Sequence, residues 1–162
     1  MITFVCWKWK GPDPARTFDS AHVNWLRAAI ARNYRKPHRF VCITDDPLGL
    51  NRAVEPVAMP ATRWDDLEPG RRFGKVRFHR KRQVSRRQFP SCYRRLWNFS
   101  REAAAVLGPR IVALDIDVVV CGDLEPLVAR EGDFVGWCDP MFRWQKIAGG
   151  AYMLRTGSHP EV

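Results

Sequence analysis

Two aspartates interrupt an apolar run in the second half of the chain. Asp115 and Asp117 are the only residues between Ile111 and Cys121 that are not apolar. Such a run is typical of a strand buried on both faces, where a carboxylate is costly unless a positive charge meets it. Residues two apart in a strand share a face, so both carboxylates would reach one cation where the strand ends. Two carboxylates with phosphate oxygens suit Mg²⁺ or Mn²⁺, and we therefore predict a divalent-metal site on Asp115 and Asp117.

A simpler interpretation of the same tripeptide stays open. An Asp-x-Asp sequence arises often by chance, and its aspartates then face water in a loop or cap the next element. The residues around the tripeptide must decide between the two interpretations.

The positive charge of the chain is concentrated in one segment. The formal net charge is +10, and residues 71–95 hold eleven Lys or Arg and no Asp or Glu, which leaves sixteen basic and seventeen acidic residues elsewhere. A local patch of this kind suits an anionic partner such as a nucleotide diphosphate, an acidic glycan, a lipid surface or nucleic acid. Interleaved aromatic residues are also typical of single-strand binders, but no nucleic-acid motif accompanies them. We expect 71–90 to be a basic surface segment, and we favour peripheral membrane contact through 71–95 over nucleic acid.

Length and composition predict one globular domain over residues 1–162. With 46% hydrophobic and 27% charged residues, the chain is long enough to bury a core. The five cysteines form no C-x-x-C pair, and Cys6, Cys42 and Cys121 fall in predicted strands, where free cysteine packs as a small hydrophobe. This pattern fits a reducing compartment. Neither a signal peptide nor an apolar run of membrane-spanning length is visible, so we expect a cytoplasmic protein, peripheral at the inner face of the membrane if it meets one.

Apolar periodicity predicts strands that alternate with helices. The predicted strands are Ile2–Trp7, Phe40–Thr44, Val54–Met59, the acid-bearing run, Phe134–Trp137 and Ala151–Leu154. The predicted helices run from an Asp19 or Ser20 cap to Pro37, from a Ser91 cap to Gly108, and for one short turn from Asp123. Alternation of this kind indicates an α/β layered domain with a mostly parallel sheet, in which ligands gather at the carboxyl ends of the strands.

Four segments together resemble a known family. They are the opening strand Ile2–Trp7, the second strand with its acidic turn at 41–46, the Tyr-x-Arg-Leu sequence at 93–96, and the Leu-Asp-Ile-Asp strand with the Gly-Asp-Leu that follows it at 122–124. In this order they resemble the nucleotide-sugar glycosyltransferases of the A-type (GT-A) fold. The similarity is greatest to bacterial lipopolysaccharide and capsule glycosyltransferases and to glycogenin-like enzymes.

The resemblance implies a Rossmann-like GT-A fold and a role for each matching residue. Asp115 and Asp117 would bind Mn²⁺ or Mg²⁺ and, through it, the donor diphosphate, with Ile116 between them also at the cofactor. Arg95 would face the diphosphate or the sugar. The turn at Cys6 and Trp7, together with Asp45, would lie near the base and ribose. The implied reaction is transfer of a hexose from a nucleotide sugar, with UDP as the expected carrier, to a glycan or lipid-linked acceptor.

The chain departs from the family pattern after the metal motif. Where relatives have an Asn-x-Gly segment, residues 147–154 have Gly149 and Gly150 without the asparagine, and these glycines either let a ligand approach or form a turn. His159 is the one histidine after the motif, and its surroundings do not match the family's third metal ligand. Asp139 is the candidate catalytic residue, with an Asp-Pro turn as the alternative.

Relatives continue beyond the position of Val162, so we expect either a fragment or a minimal or impaired enzyme. The function predicted first is a glycosyltransferase. The alternative is a non-catalytic basic binding module or a truncated nucleotide-sugar binder that acts on nucleic acid or an anionic membrane surface.

Overall fold

The computed structural model describes residues 1–10, 18–61, 91–137 and 148–159. Its strands are β1 (Ile2–Lys8), β2 (His38–Thr44), β3 (Glu55–Ala58), β4 (Arg110–Leu114), β5 (Phe134–Trp137) and β6 (Ala148–Arg155). Its helices are α1 (Ser20–Asn33), a 3-10 helix (Ser91–Phe99), α2 (Arg101–Leu107) and the single turn α3 (Glu125–Val128). The basic segment 71–90 and Asp139 lie outside the described residues. Within the described ranges, no helix has both the length and the apolar character that crossing a bilayer requires.

The six strands form one mixed sheet in the order β3-β2-β1-β4-β6-β5. β1 pairs in parallel with β2 and with β4, and β2 pairs in parallel with β3. β6 runs antiparallel to both β4 and β5. The predicted α/β architecture with a mostly parallel sheet is confirmed, because three of the five pairings are parallel.

All seven residues of β1 are buried, because the strand has a neighbour on each side and helical cover on each face. Alternate residues point to opposite faces. Ile2, Phe4 and Cys6 enter a core shared with α1, whereas Val5 and Trp7 enter a second core shared with α2. Burial on both faces explains why this strand has a continuous apolar sequence.

Helix α1 begins at the predicted cap. Asp19 Oδ1 accepts the backbone N–H of Ala21 and of His22 at 3.0 and 3.3 Å, and the His22 ring accepts the Asp19 N–H in return. This reciprocal pair satisfies N–H groups that the first turn of a helix leaves without partners. The helix ends at Asn33, before Pro37, as the sequence predicts.

The helix predicted from Ser91 to Gly108 is two helices. A 3-10 helix ends at Phe99, and the backbone of Ser100 is extended (φ −72°, ψ 161°). Ser100 Oγ accepts the N–H of Ala103 at 3.1 Å, so Ser100 is the cap of α2. The prediction of one helix capped at Ser91 is therefore wrong. Gly108 ends α2 at φ +85°, a conformation that glycine adopts without strain.

The acid-bearing strand is shorter than its apolar sequence suggests. β4 ends at Leu114, and a turn and loop follow instead of a buried strand through Cys121. Val118 and Val120 pack against the core on the α1 side, while Val119 is 80% exposed and Cys121 is exposed. Val118 and Val120 are apolar because the loop covers the sheet at these positions. The strand does not continue to Cys121, so the prediction that Cys121 lies in a strand is wrong.

Candidate active site

Asp115 is held at the carboxyl end of β4 by two backbone hydrogen bonds. Its N–H donates to the Gly150 carbonyl of β6 at 2.8 Å, and its own carbonyl accepts the N–H of Val118 at 3.1 Å. The second bond closes the turn that carries Ile116 and Asp117. Because both aspartates lie in this turn, strand alternation does not set the directions of their side chains.

Arg95 of the 3-10 helix meets the carboxylate of Asp115. The guanidinium Nη1 donates to Asp115 Oδ1, in an ion pair whose side chains are 28% and 29% exposed. The same guanidinium lies over the indole of Trp9, 5.7 Å from the ring centre, where a cation is attracted by the aromatic face. Two contacts therefore hold the positive charge of Arg95 at the carboxyl end of β4, beside Asp115.

The surroundings of Asp115 raise the pKa of its carboxyl group. Partial burial raises the pKa of Asp115, and the neighbouring charge of Asp117 raises that pKa further. The guanidinium of Arg95 opposes both effects but does not cancel them. Asp115 and Asp117 thus bring two carboxylates to one turn, beside the single arginine that contacts Asp115.

Asp117 lies on the side of the turn that faces α1. It is exposed, and with Ile116 and Val118–Val120 it lines a cavity of about 310 Å³ whose other wall includes His22, Trp25 and Arg32. Among the residues that the structure describes, no group of three or more His, Cys, Asp or Glu side chains is placed to hold one metal ion. Binding of one divalent cation by both Asp115 and Asp117 stays a prediction.

Gly150 leaves open space beside the second oxygen of Asp115. A Cβ atom at this position would lie 3.6 Å from Asp115 Oδ2, whereas one at Gly149 would meet nothing within 4 Å. Both glycines belong to β6, so the interpretation as a turn is wrong, while the approach of a ligand to Gly150 stays a prediction. Oδ1 of Asp115 thus meets Arg95, and Oδ2 lies beside the space where Gly150 has no side chain.

Two residues predicted to lie near a base and ribose are part of the core. Cys6 is fully buried on the α1 side, opposite Cys42 of β2, and Trp7 is buried on the other face. The predicted turn at Cys6 and Trp7 is wrong, because β1 continues to Lys8. Their proximity to a nucleotide stays a prediction.

Asp45 lies at the carboxyl edge of the sheet, directly after β2. Its Oδ2 accepts the backbone N–H of Lys10 at 3.1 Å, which joins the segments that follow β1 and β2. The ring of His159 lies 6.4 Å from that of Phe99.

Asn98 and Tyr152 support the site from within the core, and sequence reasoning missed both. Asn98 Oδ1 accepts the indole N–H of Trp7 at 3.2 Å, and Asn98 Nδ2 donates to the Tyr152 hydroxyl at 2.8 Å. Burial raises the pKa of Tyr152 to about 12. Asn98 follows Arg95 by three residues, which is one turn of a 3-10 helix and places both on one face. The spacing of three residues predicts a shared face only when the helix is known to be a 3-10 helix.

A crystal structure of the galactosyltransferase LgtC in complex with donor and acceptor sugar analogues has a similar fold. Its TM-score is 0.57 at 14% sequence identity, and the match covers 99% of this chain and 60% of that one. The fold is similar to that of a GT-A glycosyltransferase. The chain spans about 60% of the length of that galactosyltransferase. No protein-family model and no curated protein matches the sequence.

Proposed function

We propose that the protein is a metal-dependent glycosyltransferase that transfers a hexose from a UDP-linked sugar to a glycan or lipid-linked acceptor. The observation that carries this proposal is the contact of Arg95 with Asp115, which lies in the same turn as Asp117, at the carboxyl edge of the sheet. Ligands of α/β sheets bind at that edge. The similarity of the fold to that of a galactosyltransferase also supports sugar transfer as the reaction.

The residues present fit a divalent cation. Asp115 and Asp117 would hold it, since they supply two carboxylates from one turn, and the pKa of Asp115 is raised first by burial and then by the charge of Asp117. When bound, the cation would neutralise the charge that builds on a departing nucleoside diphosphate.

The chain's own residues would position the donor. Asp115 orients the guanidinium of Arg95 so that its remaining N–H groups can donate to a phosphate oxygen. Trp9 restrains the same guanidinium from its other side. Gly150 keeps the approach to Asp115 free of a side chain. A preorganised positive group stabilises developing negative charge without having to move during the reaction.

The acceptor would enter beside Gly150. A cavity of about 450 Å³ extends from Leu114 and Gly150 to Trp137. Trp137 is 43% exposed. Asp139 follows Trp137 in sequence and remains the candidate catalytic residue. The cytoplasmic location and the membrane contact through 71–95 remain predictions from the sequence.

Thermal unfolding with UDP and Mn²⁺ tests the donor half of this proposal. We expect UDP with Mn²⁺ to raise the Tm, and Asp117→Ala to abolish the rise, because nucleotide and cation bind as one unit. Glu131→Gln is the control, since Glu131 is an exposed carboxylate outside the turn. Hydrolysis of UDP-hexoses with Mn²⁺ then tests turnover. A Tm that ignores UDP with and without Mn²⁺ would refute the proposal.

A further inference from the structure

Trp137 is an exposed aromatic side chain at the end of a strand. It is the last residue of β5, which pairs with β6. Among the residues that the structure describes, no other ring stacks on its indole and no acceptor engages its indole N–H. An indole has two apolar faces and one hydrogen-bond donor, and both kinds of contact are therefore open to a ligand at Trp137.

Two cavities adjoin at Trp137. One has a volume of about 450 Å³ and reaches Gly150, beside Asp115. The other has a volume of about 480 Å³, lies between α3 and β5, and reaches Arg130. Asp123, Leu127 and Trp137 line both cavities, which therefore make one groove. Each half of this groove has the volume of an ordinary small-molecule site.

The outer half of the groove, between α3 and β5, combines two charged side chains with apolar walls. Asp123 Oδ1 accepts the Glu125 N–H at 2.9 Å, and within the described ranges no hydrogen bond engages its Oδ2. The Arg130 carbonyl accepts from the guanidinium of Arg110, whereas the Arg130 guanidinium itself has no hydrogen bond or ion pair in the described part of the chain. Both side chains are exposed. One acceptor and one donor group thus face a ligand.

This combination favours a sugar chain over a lipid. An alkyl chain in the outer half would desolvate Asp123 and Arg130 without giving them partners, which is costly. A sugar has hydroxyl groups that can pair with a carboxylate and a guanidinium, and a C–H face that can pack on an indole. A polyanion would be repelled by the carboxylate of Asp123.

We propose that this groove binds the acceptor as an oligosaccharide of at least two sugar units, with the indole of Trp137 between an inner and an outer subsite. The identity of the ligand as the acceptor rests on the proposed function, but the existence of a sugar-binding groove does not. The inner subsite would hold the unit whose hydroxyl faces the end of β4. The outer subsite would hold the next unit through Asp123 and Arg130. The groove thereby selects sugar chains over single sugars.

A glycan array of mono- to hexasaccharides of glucose, galactose, mannose and N-acetylglucosamine, probed with the labelled protein in EDTA, tests this proposal. We expect the protein to retain glycans of two or more units and not the monosaccharides. Trp137→Ala should weaken binding of the retained glycans about tenfold or more, because a large aromatic contact is lost, and Trp137→Phe should weaken it less. Trp25→Ala is the matched control, since Trp25 is exposed on α1 outside the groove.

Arg130→Met tests the outer subsite by itself. It should weaken binding of the retained glycans about tenfold or more, the usual effect of losing a hydrogen bond to a charged group. Arg101→Met, an exposed arginine of α2, should bind them as the wild type does. Competition by dodecyl and methyl glycosides of one monosaccharide shows whether an alkyl chain enters the groove.

Three results would overturn the proposal. They are retention of no glycan by the wild type, wild-type binding in Trp137→Ala or Arg130→Met, and a dodecyl monosaccharide that competes better than the retained oligosaccharides.

The outcomes also separate this proposal from the proposed function. Glycan binding that depends on Trp137, without hydrolysis of UDP-hexoses or transfer from them, supports the groove and rejects the glycosyltransferase. Hexose transfer to a glycan with the same acceptor KM in Trp137→Ala as in the wild type supports the glycosyltransferase and rejects the groove.

Discussion

Arg95 and Asp115 form their ion pair between the 3-10 helix and the end of β4, twenty residues apart in the sequence. The pair leaves the two oxygens of one carboxylate in different surroundings. Oδ1 accepts from the guanidinium, while Oδ2 faces the space that Gly150 leaves open. In the proposed function, Oδ1 orients the arginine and Oδ2 is the oxygen that remains for a cation.

Replacing Arg95 by Met should weaken the binding of UDP with Mn²⁺ about tenfold or more, because a charge-assisted hydrogen bond to phosphate is lost. Isothermal titration measures the affinity. Arg101→Met, an exposed arginine of α2, is the control and should bind UDP as the wild type does. Equal affinities in both variants would show that Arg95 does not reach the nucleotide.

Gly150→Ala should weaken Mn²⁺ binding several-fold without unfolding the protein. The added Cβ would lie 3.6 Å from Asp115 Oδ2, an ordinary contact distance that the fold tolerates but that narrows access to the oxygen. Gly149→Ala is the matched control, since a Cβ there meets nothing within 4 Å. Mn²⁺ affinity from electron paramagnetic resonance distinguishes the two, and a similar loss in both variants would contradict the assignment.

Asn98→Ala should lower the free energy of unfolding by about 3 kcal/mol, because it leaves the Trp7 indole N–H and the Tyr152 hydroxyl buried without partners. Urea unfolding gives the value. Asn51→Ala, in an exposed turn, should cost less than about 1 kcal/mol. A small loss for Asn98→Ala would mean that the buried network does not stabilise the fold.

Tyr152 should make the protein sensitive to alkaline pH. Its pKa is raised from 10.0 to about 12, so between these values the unfolded chain releases a proton that the folded chain keeps. The free energy of unfolding should therefore fall by about 2 kcal/mol as the pH rises from 10 to 12. Urea unfolding over this range should show a smaller fall in the free energy of unfolding for Tyr152→Phe than for the wild type. An equal fall in both proteins would show that Tyr152 is not the cause.

Ser100→Ala should destabilise the protein by about 1 kcal/mol, because the Ala103 N–H at the start of α2 loses its acceptor. Ser100→Gly should cost only a few tenths of that amount, since glycine suits a helix cap. The order alanine worse than glycine is the expected result of chemical denaturation, and the reverse order would contradict the capping role.

Local patterns were sufficient for most of the secondary structure. The alternation and burial of β1, the cap at Asp19 and the strand Phe134–Trp137 depend on neighbours in the sequence, and these predictions are confirmed. The end of β4 is different. Val118 and Val120 are apolar because their loop packs on the core. The sequence alone does not distinguish an apolar residue in a strand from one in such a loop.

The site depends on contacts that no local pattern contains. Asp115 and Arg95 were predicted to share one ligand, and the structure brings them into direct contact. The partner of Arg95 is decided by how the 3-10 helix packs on the sheet, and the helix type was itself missed. Asn98 illustrates the same point, because its two partners lie 91 and 54 residues away.

The sheet order has a consequence for the time course of folding. β1 lies in the interior of the sheet between β2 and β4, and β4 comes about a hundred residues later in the chain. The Thr3 hydroxyl likewise donates to the Leu107 carbonyl, 104 residues away. During synthesis β1 can pair with β2 early but presents an open, apolar edge until most of the chain has left the ribosome. Such distant pairing slows folding. The aspartates that would bind the donor can take their final positions only after this late closure of the sheet.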